Sequence, residues 1–173
     1  MTTVLYFDTE TTGRWVFDKP MESNEQPNMV QLAAILENFE TGKVMNKVDI
    51  IIYPSGWTIS KEVSEIHGIT QEMAEEFGVS LDSACNLFSE MYGITDCVVA
   101  HNIEFDSRII NRAMIQSGRT GNRFFWEKHR ERCTMLASTD IVKAPAKTGK
   151  RGYKWPKLQE AHKFFLGVEF DSA

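Results

Sequence analysis

Asp8 and Glu10 stand two residues apart where a short apolar run ends, and a third acid, Asp106, interrupts the apolar side of a later helical segment. Side chains alternate along a strand, so Asp8 and Glu10 are expected to project to one face. Carboxylates so placed repel and raise a pKa unless a cation neutralises them, which invites a hard divalent metal. A D-x-E pair at a strand end also occurs as a solvated turn. Asp106, Ile110 and Ala113 fall at i, i+4 and i+7, on the side of Ile109 and Met114, so the Asp106 carboxylate is expected to face inward. A buried carboxylate needs compensation. Either a metal supplies it, at the sheet edge where ligand sites of α/β proteins gather, or Arg108 or Arg112 does.

The elements that must position these acids are legible in outline. Val4 to Phe7 reads as a strand buried on both faces. Val30 to Phe39 and Lys43 to Tyr53 read as a hairpin joined at Glu40-Thr41-Gly42, so the sheet is expected to be partly antiparallel. Arg14 to Asn28, with Pro20 and Pro27, reads as a surface loop. From Ser60 the spacing becomes helical: Val63 and Ile66, then Met73 and Phe77, mark two short helices broken at Gly68 and Gly78. Ser80 is the expected N-cap of a helix over 81–92. Cys97 to Ala100 reads as a buried strand leading into a helix that ends near Gln116, an α/β signal. Two further helices are expected over 134–142 and 157–166, separated by the loop 143–156.

The composition is that of one globular domain: 173 residues, 42% hydrophobic and 25% charged. No run reaches the length of a membrane span and no signal peptide is apparent, so a soluble cytoplasmic protein without membrane contact is the expectation. Cys85, Cys97 and Cys133 lack disulfide or zinc spacing and read as small core residues. The net charge of −5 is segregated: residues 1–118 hold 7 Lys and Arg against 18 Asp and Glu, whereas residues 121–163 hold 11 against 4. A basic segment beside an acidic body suits a polyanion site fed by metal ions, although a solvated basic loop has the same composition.

Phe7-Asp8-Thr9-Glu10-Thr11-Thr12-Gly13 resembles the first motif of the DEDD exonucleases, the group that includes the epsilon proofreading subunit of bacterial DNA polymerase and ribonuclease T. His101-Asn102-Ile103-Glu104-Phe105-Asp106 resembles the second motif, and Ile66-His67-Gly68-Ile69-Thr70 a segment common between them. The resemblance implies a ribonuclease H-like α/β fold, a mixed β-sheet flanked by α-helices. It also implies hydrolysis of the 3′-terminal phosphodiester to nucleoside 5′-monophosphates, in DNA repair or proofreading. On that basis Asp8 would bridge two divalent ions, Mg2+ or Mn2+, roughly 4 Å apart. Glu10 would ligate one ion near the terminal 3′-hydroxyl, and Asp106 would hold the other. Thr9 and Thr11 of the first motif would line the substrate.

The family's third motif, a His followed five residues later by an Asp, follows segments resembling Lys157-Leu158-Gln159-Glu160-Ala161 and Leu166-Gly167-Val168-Glu169-Phe170, about where residue 173 falls. His67, His129 and His162 lack the Asp, and the pair His101 and Asp106 already constitutes the second motif. Asp171 is a stray acid without a helix to hold it. The expectation is therefore a single exonuclease domain over residues 1–173, truncated before its last catalytic helix. Such a domain would bind metal weakly and hydrolyse more slowly than a chain extended through that motif, since a general base contributes about 10²- to 10⁴-fold.

Several residues carry two readings. His67 contacts the terminal nucleotide or packs and caps locally, and Glu62 matches a further substrate position of the family. Phe105 wedges against a base at the 3′ end or belongs to the core. Asn102 is a substrate candidate better suited to fixing its loop. The stretch 147–157, including Lys150, Arg151, Lys154 and Trp155, interleaves cations, glycines and aromatics as a strand tracking single-stranded nucleic acid does. It also has the composition of a plain surface loop. It is not a P-loop, because Ala144 and Arg151 stand where Gly and Ser or Thr belong.

Three functions are compatible with these residues: an exonuclease on single-stranded or frayed 3′ ends, with DNA favoured; a nucleic-acid-binding module of the same fold without turnover; and an assembly domain docked on a DNA polymerase. Nothing in the sequence identifies a group that reads the 2′-hydroxyl.

Overall fold

A computed structural model describes residues 1–118, 127–146 and 152–169. Five strands form one mixed sheet in the order β3-β2-β1-β4-β5, with β1 (Thr3–Thr11) at its centre. β2 (Met29–Asn38) pairs antiparallel with β1 and with β3 (Lys43–Ile51), the hairpin expected from the alternating pattern. Gly42 takes the left-handed conformation (φ 66°) that this turn requires. β4 (Cys97–Ala100) and β5 (Glu131–Cys133) run parallel to β1.

Leu5 and Phe7 of β1, with Leu32, Ala34 and Leu36 of β2, face a layer made by α3 (Leu81–Gly93) and α4 (Ile103–Gln116). Phe88 of α3 is the fully buried centre of this core, edge-on to Phe7 at 5.2 Å and stacked on Tyr92 at 6.3 Å. Cys85 is buried within it. Tyr6, Asp8 and Glu10 alternate to the opposite face, where Tyr6 and Asp8 line a shallow depression with Ala33, Ile35 and Lys47. No described helix is long and apolar enough to cross a membrane.

Four details differ from the sequence-based expectation. β1 continues to Thr11, so both acids lie inside the strand, and its register with β2 shifts between Glu10 and Thr11. Such an irregularity bends the strand locally and re-aims its side chains. α1 (Lys61–His67) and α2 (Gln71–Phe77) do bury a face, but Ile66, Met73 and Phe77 are exposed while His67 and Ala74 are buried. A two-turn helix offers the i+3 and i+4 neighbours of Val63 almost equally, and tertiary packing takes the i+4 side; Ser60 and Thr70 cap the helices by accepting from Val63 N and Met73 N, and Gly68 closes α1 in the left-handed region. That choice seats Ile59, Ile69 and Ala74 on Val30, beside the end of β1.

The third difference is β5, whose sequence Glu-Arg-Cys shows neither alternation nor an apolar run; parallel pairing to β4 alone defines it. Fourth, the segment 14–28 is irregular but anchored rather than lying loose on the surface. Trp15 is buried in the core, and the buried Gln26 amide donates to Val16 O (2.7 Å) and Lys19 O (3.0 Å) while accepting from Val16 N (3.0 Å). α5 (Thr134–Val142) and α6 (Leu158–Leu166) complete the described chain close to their expected bounds.

Gly78 ends α2 where a bridge between Ile52 and Val79 docks it on the sheet. A Cβ there would lie 2.5 Å from Tyr53 N and press on Ala74 O as well. Gly78→Ala is therefore expected to cost about 1–3 kcal/mol in a urea titration, loosening the α1–α2 layer while the carboxylate site, on other elements, keeps its structure.

Candidate active site

The three acids meet electrostatically at the end of β1. The Asp8 charge raises the pKa of Glu10 and also that of Asp106, so Asp8 stands between the other two. Asp8 is solvent-accessible, yet crowding by protein atoms makes partial desolvation the largest cause of its own raised pKa. Hydrogen bonding from Thr9 and the nearby His101 act against that rise. Glu10 is raised first by desolvation and then by Asp8.

Asp106 is 3% exposed, in the first turn of α4, and burial followed by the Asp8 charge pushes its pKa up to about 8. Thr9 tethers it to β1: Thr9 N donates to Asp106 Oδ1 at 3.0 Å and Thr9 Oγ1 donates to the same oxygen at 2.8 Å. The arginine alternative fails. Arg108 Nη2 donates to Glu104 Oε1 at 2.6 Å, Arg112 donates to Met21 O at 2.5 Å and Asn28 Oδ1 at 3.4 Å, and no ion pair among the described residues involves Asp106.

The donor set suits a hard divalent cation, with oxygen ligands, net negative charge and no Lys or Arg among the described residues paired with Asp106. As arranged, however, no group of three or more His, Cys, Asp or Glu among the described residues is placed to hold a metal ion. The tether explains part of this, because Thr9 occupies Asp106 Oδ1 from two sides while Asp8 and Glu10 alternate to the face away from α4.

The remaining motif residues are largely structural in this geometry. Thr11 Oγ1 donates to Gly13 O at 2.7 Å, and Thr12 exchanges hydrogen bonds with Asn28, so these threonines brace the end of β1. Asn102 adopts a left-handed conformation (φ 69°, ψ 48°) at the junction of β4 and α4. Asparagine tolerates that region better than other residues with a Cβ. Asn102→Ala is expected to lose about 1 kcal/mol of stability, measured by urea titration, and Asn102→Gly to stay near wild type.

His101 Nε2 donates to Pro156 O at 2.9 Å, since a carbonyl only accepts, and its Nδ1 bonds Thr134 Oγ1 at 3.0 Å. Both nitrogens are thus committed to holding α5 and the segment before α6 against the β4–α4 turn. His67 is 5% exposed; its Nδ1 accepts from Ile69 N at 3.1 Å, and Nε2 has no partner among the described residues. Burial lowers its pKa, which keeps the ring neutral. In this structure the ring packs and caps locally. Glu62 is exposed in the first turn of α1, where backbone and Ser60 hydrogen bonds lower its pKa.

Phe105 is half-buried against the core and also lines a cleft beside α4, together with the exposed Trp155. Lys154 Nζ is bound to Glu160 Oε1 at 2.6 Å, so it is a brace for α6 more than an open cation. Lys150, Arg151 and Asp171 lie outside the described residues. The sequence reading missed Thr9 as the tether of Asp106, Gln26 as the pin of its loop, and Arg112 as the tie between α4 and that loop. Arg112, six residues after Asp106, stands about 120° around α4 from it and off the apolar stripe, so the local pattern gave no signal for its burial.

A mixed sheet with helices over one face, and acids at the end of its central strand and the start of the crossing helix, defines a ribonuclease H-like domain. Residues 5–164 match the family described as RNase_T, Exonuclease, and the chain belongs to that family, which is of the DEDD type. No curated protein matches the sequence. Among solved structures, exonuclease I from Methylocaldum szegediense superposes with a TM-score of 0.73 at 20% identity, covering 100% of this chain and 37% of that one. E. coli exonuclease I in complex with a dT13 oligonucleotide gives 0.72 at 16% identity, covering 100% and 37%. The zinc-bound form of the E. coli enzyme with single-stranded DNA gives 0.70 at 16%, covering 94% and 35%. At these identities the likeness shows the fold, and the chain spans little more than a third of those proteins.

Proposed function

We propose that this domain hydrolyses the 3′-terminal phosphodiester of single-stranded nucleic acid, DNA favoured, to release nucleoside 5′-monophosphates. The observation that carries the reading is the placement of Asp8 and Glu10 on one face at the end of β1 with the buried Asp106 of α4 tethered to the same strand end through Thr9, in a chain whose family is that of exonucleases. Solved relatives in fold are described in complex with oligonucleotides, which supports a single-stranded substrate.

Asp8, Glu10 and Asp106 would hold the divalent ions, Mg2+ or Mn2+, whose chemistry is to acidify a water nucleophile and stabilise the leaving oxygen. The protein's own part is positional. β1 presents Asp8 and Glu10 on one face, and Thr9 holds Asp106 at the same strand end by two hydrogen bonds, so binding of the ions would draw the three carboxylates together from neighbouring positions. Burial keeps Asp106 protonated in the absence of a cation, so the charge of the site is released when a cation takes the place of the proton.

A second reading is a nucleic-acid-binding module of the same fold. It is favoured by the state of the histidines: His101 is bonded through both nitrogens, His67 is buried, His162 Nδ1 is engaged with Val168 O at 3.0 Å, and His129 lies at the surface beside Glu127. None of these geometries suits a general base over the Asp8 carboxylate.

The test is product analysis. A 5′-labelled single-stranded DNA oligomer incubated with the domain and Mn2+ is expected to shorten stepwise from its 3′ end, while a 3′-labelled one releases labelled mononucleotide from the first turnover. Internal cleavage would contradict the exonuclease reading, and binding without hydrolysis would select the module.

A further inference from the structure

α2 turns its larger apolar side chains to solvent and its smallest to the core. Ala74 is fully buried with Val30, Ile59 and Ile69, whereas Phe77 is 65% and Met73 37% exposed. Met73 and Phe77 stand at i and i+4, so they form one stripe along the helix. At about 100° per residue, that stripe lies between the docked side at Ala74 and a strip formed by Glu72 and Glu76. Beyond it, at Gly78 and Val79, the chain lies against the backbone of Tyr53, whose side chain is 48% exposed. The charge of this ledge is one-sided: residues 61–77 hold five Glu, all exposed, against Lys61, which itself lies 4.0 Å from Glu65.

We propose that the solvent face of α2 docks a basic amphipathic helix of another protein, with Phe77 and Met73 as apolar anchors and Glu72 and Glu76 as partners for its Lys or Arg side chains. A local pattern that the fold does not use for its own core is the mark of a residue kept for another purpose, and the spacing of Met73 and Phe77 is a core pattern left in water. The same spacing on a partner helix presents an apolar stripe that matches it. Aromatic side chains anchor interfaces, while flanking charges steer encounter and select the partner. Charge also decides among occupants. Single-stranded nucleic acid would bring phosphates to five carboxylates, and a second copy would set the same carboxylates face to face, so like charge disfavours both. None of Asp8, Glu10 and Asp106 is on α1 or α2, and docking here requires no hydrolysis.

The probe is a fluorescein-labelled synthetic helix of about 18 residues, with Leu on one face and Lys on the other, whose anisotropy is followed as the domain is titrated in. The wild type is expected to bind saturably, and more weakly as salt rises. Phe77→Ala should weaken binding about 10-fold with an unchanged dependence on salt, since no charge is removed. The pair Glu72→Gln, Glu76→Gln should also weaken it and should flatten the salt dependence. The control pair Asp18→Asn, Glu90→Gln removes two exposed acids from other segments and should leave affinity within about 2-fold. All five side chains are exposed, so their replacement spares the core. No saturable binding, wild-type affinity in Phe77→Ala, or an equal loss in the control pair would overturn the proposal, the last by showing attraction to net charge alone. A dimer in sedimentation equilibrium that Phe77→Ala dissolves would overturn it too, in favour of a second copy.

Discussion

Nucleotide release by the Asp8→Asn variant is expected to fall about 10²- to 10³-fold below wild type with saturating Mn2+, while the fold is retained. Asp8 is the acid whose charge both other carboxylates feel, so its replacement removes the centre of the site rather than one of three equal ligands. The same change should relieve Glu10 and Asp106, lowering both of their pKa values toward the ordinary carboxylate range. Residues acting as a unit are non-additive. The double variant Asp8→Asn, Asp106→Asn is therefore expected to be little slower than Asp8→Asn alone. Steady-state release from 3′-labelled DNA, with circular dichroism to confirm folding, measures both statements.

The second large effect is on stability and follows from Asp106. Its pKa rises on folding from an ordinary 3.8 to about 8. Below the lower value both states are protonated and Asp106 costs nothing. Between the two values the unfolded chain has released the proton and the native one retains it, so stability falls as pH rises, by about 1.4 kcal/mol per unit at most. Above the higher value the penalty is complete. The metal-free domain should thus be markedly less stable at pH 8 than at pH 5, and Asp106→Asn should flatten most of that slope.

Asp8 and Glu10, also raised, leave a smaller slope of the same sign. Asp96 and Glu40, held low chiefly by hydrogen bonds from Thr3 and Thr2, lose their contribution only at acid pH, outside this window. Urea midpoints across pH with EDTA, compared with the same series in Mg2+, measure the effect. Mg2+ should stabilise the wild type most at the alkaline end, where its competition with the proton is weakest.

These acids were legible in the sequence for physical reasons. Asp8 and Glu10 follow the apolar residues that make β1 central, so their shared face follows from strand alternation, and helical phase placed Asp106 inward. The hairpin, the caps at Ser60, Thr70 and Ser80, and the crossing from β4 into α4 carry local signals of the same strength. What escaped is what only tertiary contact defines. β5 is a strand because β4 lies beside it, and the buried face of α1 is set by the seat available to His67. The Thr9 tether joins residues 97 apart in sequence. The cleft beside α4 draws on Trp15, Phe17, Phe105 and Trp155, which no local window brings together.

If Asp8, Glu10 and Asp106 form a divalent-cation site for terminal hydrolysis, release of mononucleotide from 3′-labelled single-stranded DNA must depend on Mn2+ raised from zero, and must do so in the wild type but not in Asp8→Asn. A saturable rise in the wild type, nearly absent in the variant, is the expected result. A wild-type rate independent of Mn2+, or the same rise in both proteins, would contradict it.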